Sequence, residues 1–128
     1  MKVAIDTNVL IRMTALDDDH LVKKAITFIE KFSHKEIFVC YGALIEAFYV
    51  LKKYYTLPEN QILNIFQDLM KIDQLSFENE ISIRLAISKS LKGGSFNDAL
   101  IGEIGSSRNL KTYSFDKGLK DNKSFEII

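Results

Sequence analysis

Four carboxylates occupy places where a folding chain seldom leaves acids unattended. Glu46 is the one charged residue in the run Ile37 to Leu51, IFVCYGALIEAFYVL. Burying it without a partner would cost roughly several kcal/mol and would favour the protonated form. Glu46 therefore sits on the wet edge of its helix or meets a positive group. Asp6 directly follows the β-type run Lys2 to Ile5, and Asp116 directly follows Lys111 to Phe115. Asp98 opens a helical stretch after Gly93-Gly94. Open parallel sheets bind ligands beyond the carboxyl ends of their strands. All four acids are thus expected to project toward one rim.

Gathering them has an electrostatic cost. Two carboxylates about 5 Å apart repel by about 3 kcal/mol at an effective dielectric of about 20. Protons or cations must offset this. An all-oxygen ligand set without His or Cys suits Mg²⁺ or Mn²⁺ rather than Zn²⁺. Such ions support phosphoryl chemistry by lowering the pKa of an attacking water and stabilising a leaving oxygen. Each acid also has a plainer reading. Asp98 can complete a Ser95-x-x-Asp98 capping box, and Asp6 and Asp116 can be turn residues at strand ends. Glu46 is the hardest to explain that way, and the combination carries the signal.

The elements that must hold these residues follow from periodicity. Asp6-Thr7-Asn8 ends the first strand, with Thr7 or Asn8 capping a short helix, Val9 to Thr14. Asp17-Asp18-Asp19 compensates the dipole of a helix from about His20 to Phe32, whose inner face is Leu21, Ala25, Phe28, Ile29 and Phe32. A strand, Ile37 to Cys40, precedes a helix, Gly42 to Tyr54. Thr56 to Glu59 reads as a capping box before a helix, Glu59 to Lys71. A strand, Gln74 to Phe77, and an amphipathic helix, Glu80 to Leu91, follow; Gly93-Gly94 stops the latter. The helix Asp98 to Ser107 carries Gly102 and Gly105 on one face, which permits close packing on a sheet. Lys111 to Phe115 and Phe125 to Ile128 complete the strands, with Leu119 in a short turn. Strands alternating with helices imply an α/β fold with a mostly parallel sheet.

The totals fit one soluble domain over residues 1–128, with 47% apolar and 27% charged residues. Basic and acidic residues balance at 17 each, which argues against a non-specific electrostatic nucleic-acid binder while leaving room for a local basic patch. The single cysteine, Cys40, lies in an apolar run and reads as a buried thiol. No apolar run is long enough to span a membrane, and MKVAID shows no signal peptide, so a cytoplasmic protein is expected. His20 and His34 read as surface residues. Tyr41, Tyr49, Tyr54 and Tyr55 read as packing rather than stacking groups. Arg12, on the first helix after Asp6, is the best phosphate contact among the cations.

Four segments together resemble the PIN-domain nucleases, and within them the small VapC-like toxin ribonucleases of toxin–antitoxin pairs. They are VAIDTNVLIR, the lone Glu46 in YGALIEAFYVL, FNDALIGEIG around Asp98, and TYSFDKGL around Asp116. The resemblance covers essentially the whole chain. It implies a three-layer α/β/α sandwich with a central, mostly parallel four- to five-stranded sheet. It also implies a Mg²⁺- or Mn²⁺-dependent endoribonuclease that hydrolyses RNA phosphodiester bonds. Asp6, Glu46, Asp98 and Asp116 fall on the family's acidic positions. Asn8 and Ser114 fall on supporting polar positions, with Ser114 where threonine is commoner. Ser95, Phe96 and Asn97 occupy a stretch where relatives often carry a further acid. The resemblance further implies a homodimer and a small antitoxin partner.

Two alternatives remain at this level. One is a non-catalytic PIN-like module that binds RNA or protein. The other, ranked lower, is a phosphatase with Asp6 as nucleophile; such enzymes want a second aspartate where this chain has Asn8.

Overall fold

In the computed structural model, which describes every residue except Ala15, Asp18 and Asp19, the chain forms two units, Met1–Glu78 and Asn79–Ile128. Each is built from parallel strands separated by helices.

The first unit runs β1 (Val3–Ala4), α1 (Thr7–Arg12), α2 (His20–Ile29), β2 (Ile37–Val39), α3 (Tyr41–Lys53), α4 (Glu59–Leu69) and β3 (Leu75–Phe77). The strands form a sheet in the order β1-β2-β3, all parallel, with Val3 opposite Ile37 and Ile37 opposite Leu75. Parallel neighbours need long crossovers, and α1–α2 and α3–α4 supply them. Ile37, Val39, Leu75 and Phe77 are buried, as period-two alternation of branched and aromatic residues dictates. Leu44, Ala47, Phe48 and Leu51 on α3 and Ile62, Leu63, Phe66 and Leu69 on α4 are buried, and the two helices touch, with Phe48 against Phe66.

The second unit runs α5 (Glu80–Leu91), α6 (Phe96–Ser107), β4 (Thr112–Ser114), a 3-10 turn (Lys117–Leu119) and β5 (Phe125–Ile127). β4 and β5 pair in parallel, with Thr112 opposite Phe125 and Ser114 opposite Ile127. α5 ends where expected: Gly93 and Gly94 take φ of 129° and 92°, which side chains with a Cβ resist. The close packing expected of α6 is present. A Cβ on Gly102 would lie 2.6 Å from Phe125 Cε2 and 3.0 Å from Ser124 Cβ, and one on Gly105 would lie 2.6 Å from Thr112 Oγ1. Gly102→Ala gains up to about 1 kcal/mol of helix propensity but forces Phe125 to move. A net destabilisation of about 1–2 kcal/mol is expected, checked as a lower urea midpoint.

Several local expectations give way to longer-range contacts. α1 begins at Thr7 rather than Val9, and α2 ends at Ile29 rather than Phe32. Its buried face is Val22, Ala25 and Ile29, while Leu21 is exposed. The Thr56–Glu59 capping box is absent: Thr56 adopts a φ of 52° and donates to the Tyr55 carbonyl, leaving Pro58 at the cap position. Asp17 accepts from Arg12 at 2.9 Å and from the Tyr55 hydroxyl at 2.5 Å, so its role is a tertiary clamp. Asp18 and Asp19 of the same acidic run lie outside the described residues. Tyr49 and Tyr54 are exposed rather than packed, and Lys53 Nζ lies 4.9 Å from the Tyr49 ring centre. His34 is exposed as expected and pairs with Asp73.

The carboxyl of the half-buried Glu36 is held below its ordinary value. Glu36 accepts from the Ser33 backbone N–H at 2.6 Å and pairs with Lys2 at 2.9 Å, and the two hold its carboxyl below the ordinary 4.5. A depressed folded-state pKa stabilises above the unfolded value and loses that contribution as pH falls through the folded one. Glu36→Gln is therefore expected to lower the thermal midpoint at neutral pH, with the difference from the parent closing below pH 4.5.

Candidate active site

Strand ends organise the candidate residues. Ile5 donates to the Phe38 carbonyl and closes β1 against β2, and the chain turns at once into α1. Asp6 is itself the cap of α1, its Oδ1 accepting the Val9 N–H at 3.1 Å. Thr7 and Asn8, expected to cap, lie inside the helix. Asp6 adopts the extended backbone that a capping residue needs, so it takes that role. Thr7 is buried, and its hydroxyl donates to the Ala43 carbonyl at 3.3 Å, joining α1 to α3. Glu46 lies three residues beyond Ala43, on the same side of α3. It is exposed, so the wet-edge alternative holds.

Cys40 follows β2 and stands at the cap position of α3 without a side-chain capping bond. It is exposed, contrary to the buried thiol expected, because the inward positions of this strand are Ile37 and Val39. The α3 N-terminus is served instead by Glu78, which follows β3 and accepts the Tyr41 N–H at 2.8 Å. Glu78 was not among the sequence candidates. An acid one residue past the strand Gln74 to Phe77 matches the placement of Asp6 and Asp116, and that parallel was the available signal.

In the second unit Ser95 caps α6 by accepting the Asp98 N–H at 3.3 Å, leaving the half-buried Asp98 carboxylate in the first turn. Beyond β4, Ser114 Oγ accepts the Asp116 N–H at 3.0 Å, and Asp116 Oδ1 accepts the Gly118 N–H at 2.8 Å. The segment from Ser114 to Gly118 is thus held by consecutive side-chain-to-backbone bonds.

Asp6 and Asn8 also line a groove of about 780 Å³ within the first unit, together with Arg12, Leu21, Lys24 and Phe28. Arg12 reaches this groove, but its guanidinium is engaged by Asp17. Its position is set by that pairing.

The sequence matches the family model of the PIN domain over residues 3–124. The chain belongs to the PIN-domain family. PIN domains are in general nucleases that work with divalent metal ions, which supports a nuclease for this chain. Its structure is similar to one titled toxin-antitoxin complex from Klebsiella pneumoniae, at 14% identity and a TM-score of 0.40, covering 100% of this chain and 96% of that one. No curated protein sequence matches it significantly. Among its described residues no helix is long and apolar enough to cross a membrane.

The PIN domain carries Asp6 and Glu46 in its first unit and Asp98 and Asp116 in its second. Among the described residues none of these four carboxylates forms an ion pair, whereas Asp17, Glu36, Glu59 and Glu103 each have a basic partner within 3.2 Å. Asp6 and Asp116 each use one oxygen for a backbone N–H. Oxygen donors of this kind fit a hard divalent cation. Also among the described residues, no three His, Cys, Asp or Glu side chains are grouped closely enough to hold a metal ion.

Proposed function

We propose that this PIN domain is a Mg²⁺- or Mn²⁺-dependent endoribonuclease and the toxin of a toxin–antitoxin pair, with Asp6, Glu46, Asp98 and Asp116 as its metal-ligating and catalytic acids. One observation supports the reading most. Among the described residues, acids with no ion pair follow β1 and β4, and Asp98 stands in the first turn of α6 in the same condition. Negative charge left unneutralised at strand and helix ends favours an external cation. When bound, such a cation supplies Lewis acidity and a water of lowered pKa.

The chain's own contribution is positioning. The Val9 and Gly118 N–H groups each fix one oxygen of Asp6 and Asp116, which orients the other. Ser114 holds the backbone of Asp116, and Asn8 adds a polar group one helical position from Thr7. Thr7 ties the start of α1 to the helix that carries Glu46. The RNA substrate, the homodimer, the small antitoxin and the cytoplasmic setting follow from the sequence resemblance and form part of the same proposal, as does action by residues 1–128 as a single domain.

The test is cleavage of total and single-stranded RNA with added Mg²⁺ or Mn²⁺. Cleavage that EDTA stops and metal restores is expected. Failure to cleave any RNA with either ion would overturn the reading. The second reading is a PIN-like module that binds RNA or protein without cutting RNA. Calorimetry separates the two, because the enzyme binds Mn²⁺ and the module does not.

A further inference from the structure

Phe115 is the most conspicuous apolar side chain that the site description leaves unexplained. It is 82% exposed, directly before Asp116, and Tyr113 two residues earlier is 62% exposed. Burying a phenylalanine stabilises by about 1.5–3 kcal/mol, so folding gives no reason to leave one in water. Neighbouring side chains turn inward: Thr112 faces Gly105 on α6, and Phe125 on the paired strand faces Gly102. Tyr113 therefore points away from α6, on the opposite side of the strand.

The backbone on either side of Phe115 is fixed while its ring is free. Ser114 Oγ accepts the Asp116 N–H at 3.0 Å, and Asp116 Oδ1 accepts the Gly118 N–H at 2.8 Å. A ring on a tethered backbone loses only two side-chain torsions when it meets a ligand, which keeps the entropic cost of contact small. The surrounding charge is one-sided. Residues 108–123 carry five basic side chains, Arg108, Lys111, Lys117, Lys120 and Lys123, against Asp116 and Asp121, in a chain whose total charge is zero. Lys117 and Lys120, which follow Asp116, are exposed.

An exposed aromatic ring in a locally basic segment has the chemistry of a single-stranded nucleic-acid contact. The ring stacks on a base while the lysines attract the backbone. We propose that Phe115 is the stacking platform for an unpaired base of the RNA, beside the phosphate held near Asp116, and that Lys117 and Lys120 attract the flanking phosphates. The proposal rests on the ribonuclease reading above and assigns it a substrate-binding residue. A protein docked on this ring is the competing occupant, and the test separates the two.

The experiment uses the full chain carrying Phe115→Ala, Phe115→Leu or Phe115→Trp, with Tyr54→Ala as a control at another exposed aromatic. Binding of a short, labelled, single-stranded oligoribonucleotide is measured by anisotropy in EDTA, and cleavage is measured separately with Mn²⁺. Phe115→Ala is expected to weaken binding by about five- to a hundredfold, the effect of losing one stacked base. It should raise KM with little change in kcat. Phe115→Trp should restore binding and show indole fluorescence quenched by RNA, while Phe115→Leu should not restore it. Lys117→Gln should flatten the salt dependence of binding. If the parent binds and cleaves RNA and Phe115→Ala does so equally well, the platform is overturned and the ribonuclease reading stands. Leucine working as well as tryptophan, or an indole signal that responds to a protein and not to RNA, also overturns the platform. A parent that neither binds nor cleaves RNA overturns the ribonuclease reading, and the platform falls with it.

Discussion

An Asp6→Asn chain is expected to cleave RNA about a thousandfold more slowly than its parent while remaining folded, a loss of about 4 kcal/mol of transition-state stabilisation. The substitution separates two roles that Asp6 combines. As cap of α1, the carboxylate oxygen accepts the Val9 N–H. An asparagine amide oxygen makes the same bond with nearly equal preference, so helix initiation survives. As proposed metal ligand, the residue needs its negative charge, which asparagine lacks. The variant should therefore keep its urea midpoint to within about 0.5 kcal/mol. It should lose Mn²⁺ affinity and kcat/KM together. Asp116→Asn should behave likewise, since its amide oxygen can still accept the Gly118 N–H. If Asp6→Asn and Asp116→Asn cleaved at the parent's rate, these acids would be reduced to turn residues and the catalytic assignment would end.

The second large effect is on stability. Phe66 on α4 is fully buried, and its ring lies 6.2 Å from that of Phe48 on α3, inclined at 60°. That tilted pairing adds to the area the two rings bury. Phe66→Ala removes the ring from a close-packed site and should cost about 3–5 kcal/mol, a large share of the roughly 5–15 kcal/mol that holds a domain together. Phe66→Leu, which keeps much of the volume, should cost about 1 kcal/mol. Urea unfolding monitored by circular dichroism measures both, with a lower midpoint at an unchanged slope. A loss below about 1 kcal/mol for the alanine variant would show that α3 and α4 do not depend on this contact. Phe48 lies two residues beyond Glu46, so the same ring pair steadies the helix that presents that acid.

How much could be read without coordinates differs between residues. The glycines of α6 were legible because helical spacing alone puts Gly102 and Gly105 on one face, and a strand now lies against each. The stop at Gly93-Gly94 was legible for a similar reason, since the left-handed region favours glycine. The placement of Asp6 and Asp116 at strand ends followed from where the apolar runs break. Cys40 was misread because its apolar neighbours were counted without regard to the parity of the strand. Leu21 was misread on α2 because the buried stripe of Ala25 and Ile29, read correctly, continues through Val22 instead.

What the sequence determined by itself is local: the alternation of strands and helices, the acids that follow strands, the PIN-like motifs, and the glycines that permit close approach. These depend on residues within a few positions of one another, so composition and spacing encode them. Only the tertiary structure decided that Glu78 serves the N-terminus of α3, that Thr7 bonds Ala43, that Arg12 is engaged by Asp17, and that Glu46 faces water. It also decided that β1, β2 and β3 pair with one another while β4 pairs with β5. The physical reason is that partners such as Tyr41 and Glu78 lie 37 residues apart. Many side chains can donate or accept such a bond, and packing selects the pair that meets.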